Sequence, residues 1–367
     1  MKVTFPHMGN LYIVVRALLE TLGVEVVVPP LSSKRTLTLG TLYSPEFACL
    51  PMKVNLGNFI EAYEQGADTV VMAGGIGPCR FGYYAQVQQE ILRDLGYDLD
   101  MVVLEPPEKH ISELVVRIKK VTGQNSWFQA IKAIRFAWSK AKGIDQVEKM
   151  VHLVRPREYQ KGVTTKVYQQ FLQEIDQANT IKEVDGVIQQ TLDDLRDVPA
   201  DWNRPCVKVG LVGEIYVLLE PFINLEIERH LGEMGVEVSR SIYLSEWINE
   251  HLLMNLLSTV NNSHEARKAA KPYLNHFIGG HGQDTVGHTV QYAQEGYHGV
   301  IQLAPFTCMP EIVAESILPQ VRNDFSIPTL SLVIDEHAGE AGVITRLEAF
   351  VDLLSRQMSL AKSGGIQ

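Results

Sequence analysis

Two periods of apolar and polar residues alternate along the first hundred positions. "MKVTF" reads as a short strand. Positions 7–22 carry apolar residues at helical spacing: Leu11, Val14, Val15, Leu18 and Leu22. Gly23 ends that helix, and "VEVVVPP" follows as a buried strand stopped by two prolines. A loop then reaches Cys49. The pattern next predicts a helix over 52–65 ended by Gly66, the strand "ADTVVMAGG", a helix over 80–95 closed by Gly96, and the strand "LDMVVLEPP". Alternation of this kind indicates a parallel sheet with helices on both faces.

Between positions 108 and 198 the strand signals disappear. Helices are predicted over 111–121, 127–142, 164–178 and 181–195, and "DVPADWNRP" reads as a linker. Strands then return as "CVKVGLVG", "VEVSRSIYL", "YHGVIQLAPF" and "IPTLSLVID", before a helix over 345–358 and the tail "SGGIQ". The halves resemble each other. Gly23-Val24-Glu25-Val26 matches Gly235-Val236-Glu237-Val238, and "GADTVVMAGGIGPCRF" aligns with "GYHGVIQLAPFTCMPE". The expected fold is therefore α/β: two doubly wound, Rossmann-like parallel-sheet domains related by internal duplication, plus a helical insertion. The expected boundaries are 1–107, 108–200 for the insertion, 201–344, and 345–367 for the last helix and tail.

Composition supports a globular chain: 367 residues, 46% hydrophobic and 21% charged. The start, "MKVTFPHMGN", does not read as a signal peptide, and no run reaches the roughly 18 apolar residues of a membrane span. A soluble, cytoplasmic protein without membrane contact is expected. A net charge of −10 argues against nucleic acid as a partner. The charge is uneven, however: positions 117–166 hold twelve Lys/Arg against three Asp/Glu. Within that stretch Trp127, Ile131, Ile134 and Trp138 form an apolar stripe, and Lys132, Arg135 and Lys142 fall on another face.

The four cysteines are Cys49, Cys79, Cys206 and Cys308, with no CxxC pair. In parallel α/β sheets functional groups gather at the carboxyl ends of strands. Cys79 and Cys308 are predicted there, one in each half. Cys49 precedes Leu50-Pro51 and Cys308 precedes Met309-Pro310, and proline favours the first helical position. Cys79 follows Pro78 and opens its own helix. Three helix N-termini would then face three sulfurs, an arrangement expected to lower thiol pKa and favour the metal-binding thiolate. Three thiolates suit an iron–sulfur cluster with one non-cysteine position, or zinc with an open one. The competing reading is three small buried residues. Cys206 starts a strand and is expected to be structural.

The segments "SPEFACLPMK", "GGIGPCRFGYY", "GEIYVLLEPFINLEIERHLGEMGVEV", "APFTCMPE" and "DEHAGEAGVITRLEAFVD" resemble the 2-hydroxyacyl-CoA dehydratase family. They look most like its stand-alone branch, labelled CoA protein activase or activase-related. The resemblance spans nearly the whole chain. It implies that Cys49, Cys79 and Cys308 ligate a [4Fe–4S]-type cluster. It also implies that low-potential electrons come from a separate ATP-hydrolysing activase, and that a small substrate such as an acyl-CoA is reduced or dehydrated. The double-cubane cluster of the family uses six cysteines, more than this chain has, and a homodimer is one arrangement left open. "GGIGPCRFG" lacks the Lys-Ser/Thr end of a phosphate loop, so the chain looks like the electron acceptor, not the ATPase.

Further candidates sit near the expected carboxyl edges. Gly77 and Pro78, with Gly280 and His281 of "IGGHGQD", are candidate cofactor-binding residues, since a glycine-rich helix N-terminus can take an anion. His281 is also a candidate fourth ligand or proton donor, against an ordinary glycine turn. Glu336 and His337 of "DEHAGEAG" are candidates for acid–base work, against a loop that merely braces the cysteine turns. Glu214 and Glu220 carry the same two readings. The basic segment would dock an acidic partner such as the activase, through Lys132 and Arg135, or hold CoA phosphates. The alternatives to an iron–sulfur protein are a zinc enzyme on the same cysteines and a non-catalytic small-ligand-binding protein.

Overall fold

The first sheet runs β1 (Lys2–Thr4), β2 (Glu25–Val26), β3 (Thr69–Ala73) and β4 (Asp100–Leu104), in the spatial order β2-β1-β3-β4 with every pairing parallel. The second runs β5 (Val207–Gly213), β6 (Val236–Arg240), β7 (Gly299–Pro305) and β8 (Thr329–Ile334), in the order β6-β5-β7-β8, again all parallel. The order is the same once each half is counted from its own first strand. The two matching Gly-Val-Glu-Val segments run into β2 and β6, which hold the same outer position. These features come from a computed structural model that describes residues 1–75, 78–104, 119, 121–123, 126–251 and 262–364. The helix expected over 111–121 falls largely outside the described residues.

In the first half, α1 (Leu11–Thr21) follows β1, and α2 (Lys34–Tyr43) and α3 (Leu50–Glu64) separate β2 from β3. Helix α1 starts four residues later than its apolar spacing predicts. Gly9 has φ +50°, outside the right-handed helical region, and the helix begins past it. Helix α2 occupies what reads as a loop before Cys49. Its segment, "KRTLTLGTLY", has no clear apolar stripe, but a reciprocal cap between Ser33 and Thr36 starts it. A short 3₁₀ turn (Arg80–Tyr83) leads into α4 (Tyr84–Asp94).

Three long helices follow: α5 (Trp127–Val154), α6 (Val163–Gln177) and α7 (Ile181–Asp197). Helix α5 runs twelve residues past its expected end at Lys142 and packs on α1 from the first half and on β6 from the second. Its buried side is Ala133, Ala137, Ala141 and Ile144, while Trp127 and Ile131 of the expected apolar stripe are exposed. The segment read as a linker is pinned: Tyr159 N donates to Pro199 O at 3.0 Å, and Asp201 N to Arg157 O at 2.8 Å.

In the second half, α8 (Ile215–Leu219) and α9 (Ile227–Glu233) lie between β5 and β6. Helices α10 (Leu244–His251), α11 (Asn262–Ala270) and α12 (Gly282–Gln294) precede β7, and α13 (Met309–Phe325) joins β7 to β8. The last helix, α14 (Glu340–Gly364), packs on β5 and α9, so it belongs to the second α/β layer. The helix pair before the third strand recurs by the same device. A Cβ at Gly57 of α3 would lie 2.0 Å from Thr36 O of α2, and one at Gly287 of α12 would lie 1.9 Å from Ala266 O of α11. In each half a glycine lets two backbones touch. Among the described residues no helix is long and apolar enough to cross a membrane.

The carboxyl edges of the sheets contribute the loops through which the halves meet. His7 Nδ1, after β1, lies 2.9 Å from Glu220 Oε2, and Gly9 N donates to the same oxygen at 2.7 Å. Lys53 of α3 pairs with Glu336, after β8. Asn10 donates to Glu148 of α5 at 2.9 Å, and Arg240 at the end of β6 pairs with that same carboxylate.

Candidate functional site

Each of the three cysteines is a helix cap. Cys49 is the N-cap of α3 with Pro51 in the first turn, and Cys308 is the N-cap of α13 with Pro310 in the first turn. Cys79 caps the 3₁₀ turn that leads into α4. Proline fits these first turns because its missing N–H has no helical partner there. Cys49 and Cys308 are buried, and Cys79 is half-buried. Cys206 lies at the amino end of β5, at the opposite edge of its sheet, with Sγ 3.6 Å from Arg204 O. It takes no part in the group.

The three caps meet although they are far apart in sequence. Arg80, next to Cys79, donates to Phe47 O at 3.0 Å, two residues before Cys49. It also donates to Thr307 Oγ1 at 2.9 Å, one residue before Cys308. On the other side Gly279 and Gly280 press against Cys79. A Cβ at Gly279 would fall 2.7 Å from Cys79 N, and one at Gly280 would fall 3.3 Å from the Pro310 ring and 3.8 Å from Cys79 Sγ. Both glycines have positive φ, +88° and +48°. The loop "IGGHGQD" is therefore one wall of the cysteine group. His281 caps α12 as Cys49 caps α3, each one helix before the strand that leads to the next cysteine.

The expected lowering of the thiol pKa values is not what the surroundings produce. Burial pushes the Cys49 thiol up to about 12, with Glu214 adding to the rise. Burial also raises Cys79, and raises Cys308 furthest, with Glu311 and Glu214 adding. The first-turn N–H groups of Met52, Phe81 and Glu311 pull the other way, but none makes a full capping hydrogen bond to its sulfur. Desolvation of a thiolate outweighs a helix end whose N–H groups do not close on it. Neighbouring thiols add to the effect, Cys79 on Cys49 and Cys49 on Cys308. Cys49 Sγ also lies against the Tyr84 hydroxyl.

Two carboxyls complete the surroundings, and the sequence singled out only one of them. Glu311, in the first turn of α13, is fully buried and raised to about 8 by that burial. It accepts from Gln302 Nε2 at 3.0 Å and from Thr285 Oγ1 at 3.1 Å. Glu214 caps α8 by accepting from Val217 N at 3.1 Å, and burial raises it to about 7. In sequence Glu311 looks like an ordinary first-turn acid, and nothing in its spacing shows that it faces inward.

The other candidates divide. Glu336 is tied to Lys53. Burial pushes its pKa up, but the ammonium more than offsets that and leaves it below the usual range. Its environment is that of a bracing ion pair. His337 is exposed, and its N–H donates to Asp335 at 2.9 Å. Glu220 braces the contact with His7 and Gly9. Pro78 is exposed beside Gly279, and Gly77 lies outside the described residues. Of the basic stretch, Lys132, Arg135 and Lys142 are exposed, but Lys140 is buried and donates to Asp176 O at 2.9 Å, and Arg155 is buried. Part of that charge therefore serves internal packing.

Among the described residues, no three His, Cys, Asp or Glu side chains form a group placed to hold a metal ion. No protein-family model matches the chain, and no curated protein matches it.

Proposed function

We propose that the protein is a low-potential iron–sulfur protein of the 2-hydroxyacyl-CoA dehydratase type. Cys49, Cys79 and Cys308 would ligate a [4Fe–4S] cluster between its two halves. The observation that carries this reading is the convergence of three thiols, each on its own helix cap, around Arg80 and the Gly279-Gly280 wall. The donor set fits the cluster in kind, since cysteine thiolates are the ligands such clusters take, and the three side chains would have to draw together to hold it. When bound, such a cluster supplies one-electron transfer and an iron with an open coordination position. The matching strand order and paired cap positions support descent of the two halves from one duplicated α/β unit, with α5 to α7 as the insertion.

The chain's own residues would do the rest. The three caps would hold the sulfurs, which ligate a metal only as deprotonated thiolates. Glu214 and Glu311, neutral over part of the physiological range, are placed to hold protons near the sulfurs. His281, next to Gly280 on the wall of the cysteine group, and the backbone around Gly280 would be candidate contacts to substrate. Electrons would come from an ATP-hydrolysing activase docking on the exposed cations Lys132 and Arg135 of α5, and the substrate would be a small molecule of the acyl-CoA type. Charge reversal at both cations should weaken that docking and flatten its salt dependence; unchanged binding removes the docking surface.

Anaerobic purification with iron supplied is the test of the whole reading. Brown protein whose visible absorption is lost in Cys49→Ala, Cys79→Ala or Cys308→Ala is the expected result. Colourless protein with stoichiometric zinc, or with no metal at all, overturns it in favour of a zinc enzyme or a ligand-binding protein.

A further inference from the structure

The loops that carry the three cysteines come from separate parts of the chain, and one side chain joins them. Arg80 Nη1 donates to Phe47 O at 3.0 Å. Its Nη2 donates to Thr307 Oγ1 at 2.9 Å and also to the Thr307 carbonyl. Thr307 Oγ1 reaches Phe47 O in turn at 3.2 Å, closing a ring of contacts. Thr307 has φ +63°, a conformation that a β-branched residue keeps only when its surroundings hold it. The guanidinium fork supplies that hold. Only a planar, multi-donor cation can reach a carbonyl on one loop and both oxygens of a residue on another. Its hydrogen-bond partners among the described residues are carbonyls and a hydroxyl, not a carboxylate. Arg80 stands next to Cys79 in the chain and is bonded two residues before Cys49, and at both thiols it favours the anion against the opposing influence of Glu214.

We propose that Arg80 is the positioning residue of the three-cysteine site. Its fork holds the cysteine loops in ligating register, and its charge raises the reduction potential of the cluster bound there. The inference rests on the reading of Cys49, Cys79 and Cys308 as cluster ligands. Reduction adds negative charge to the cluster, and a fixed cation beside it stabilises the reduced form.

The test uses the full chain, reconstituted anaerobically with iron and sulfide, as wild type, Arg80→Gln and Arg80→Lys. Two quantities are read: the midpoint potential in a redox titration, and the rate of iron loss to a chelator. For Arg80→Gln the one-electron equilibrium should shift against reduction by about tenfold, a fall of about 59 mV. Iron should leave about tenfold faster. Arg80→Lys should recover the potential but not the slow release, because an ammonium keeps the charge and loses the fork. A wild-type value of either quantity in Arg80→Gln overturns the proposal.

If Arg80→Gln takes up no iron, Thr307→Ala serves in its place. It removes the hydroxyl and keeps the charge, so faster release at an unchanged potential is expected, and wild-type release overturns the positioning role. Wild-type protein that binds no cluster removes the cysteine reading and this inference with it. Wild-type protein that loses its cluster in Cys49→Ala, but not measurably in Arg80→Gln, removes only this inference.

Discussion

A thiol at a helix cap stands between two opposed influences. The helix end favours the thiolate, and burial favours the thiol. Here burial prevails at Cys49 and Cys308, and Glu214 and Glu311 strengthen it. The consequence is testable by timed alkylation of metal-free protein at neutral pH. Cys79, half-buried, should be modified first, and Cys49 and Cys308 much more slowly. Uniformly fast modification of all three would contradict the burial assigned to them. The caps themselves are legible in the sequence, because Leu50-Pro51 and Met309-Pro310 announce two helix starts. Glu311 is not, because only the tertiary packing turns a first-turn acid towards Gln302 and Thr285.

At the scale of elements, the long helices show what local pattern settles and what it leaves open. Gly186 on α7 has open space where a Cβ would stand, so Gly186→Ala should stabilise the fold by about 0.5–1 kcal/mol through helix propensity alone, read as a rise in thermal midpoint. Gly143 on α5 differs: a Cβ there would lie 2.3 Å from the Ile188 side chain of α7. That glycine reads as a break in the helical pattern, yet α5 continues through it, because the gap it leaves is filled from α7. Helix α9 meets α5 and β6 through Glu228. Burial alone would raise the Glu228 carboxyl, but Arg240 and His152 outweigh it and hold the pKa at about 2. A carboxyl depressed on folding contributes stability above its unfolded pKa and loses it as pH falls through the folded value. The contribution of Glu228 is therefore complete above about pH 4.5 and fades towards pH 2, amounting to about 3 kcal/mol. The difference in unfolding free energy between wild type and Glu228→Gln should shrink across that window. A difference independent of pH would show that the carboxylate charge is not what Arg240 and His152 stabilise.

At the scale of the molecule, the halves are held together by charged groups at the facing loops. Lys53 is almost wholly buried, and its partner Glu336 comes from the other half. Glu336→Ala would leave that ammonium buried without its anion, at a cost of about 3 kcal/mol visible by calorimetry. A variant of unchanged stability would return Glu336 to the list of groups available for proton transfer. The same facing of edges decides the site, because Cys49, Cys79 and Cys308 form a group only once both sheets are in place.

The strand and helix alternation, the resemblance of the halves, the cap positions of the cysteines and the carboxyl-edge location of Cys79 and Cys308 follow from the amino-acid sequence by itself. Each depends on periodicity or on a neighbour within a few residues, and such interactions act along the chain. Helix α2, the inward turn of Glu311, the elevated thiols and the bracing of Glu336 by Lys53 depend on tertiary structure. So does the Arg80 tie between Phe47 and Thr307, residues separated by 260 positions. Burial and contacts across that separation exist only after the chain has folded, and no local pattern encodes them.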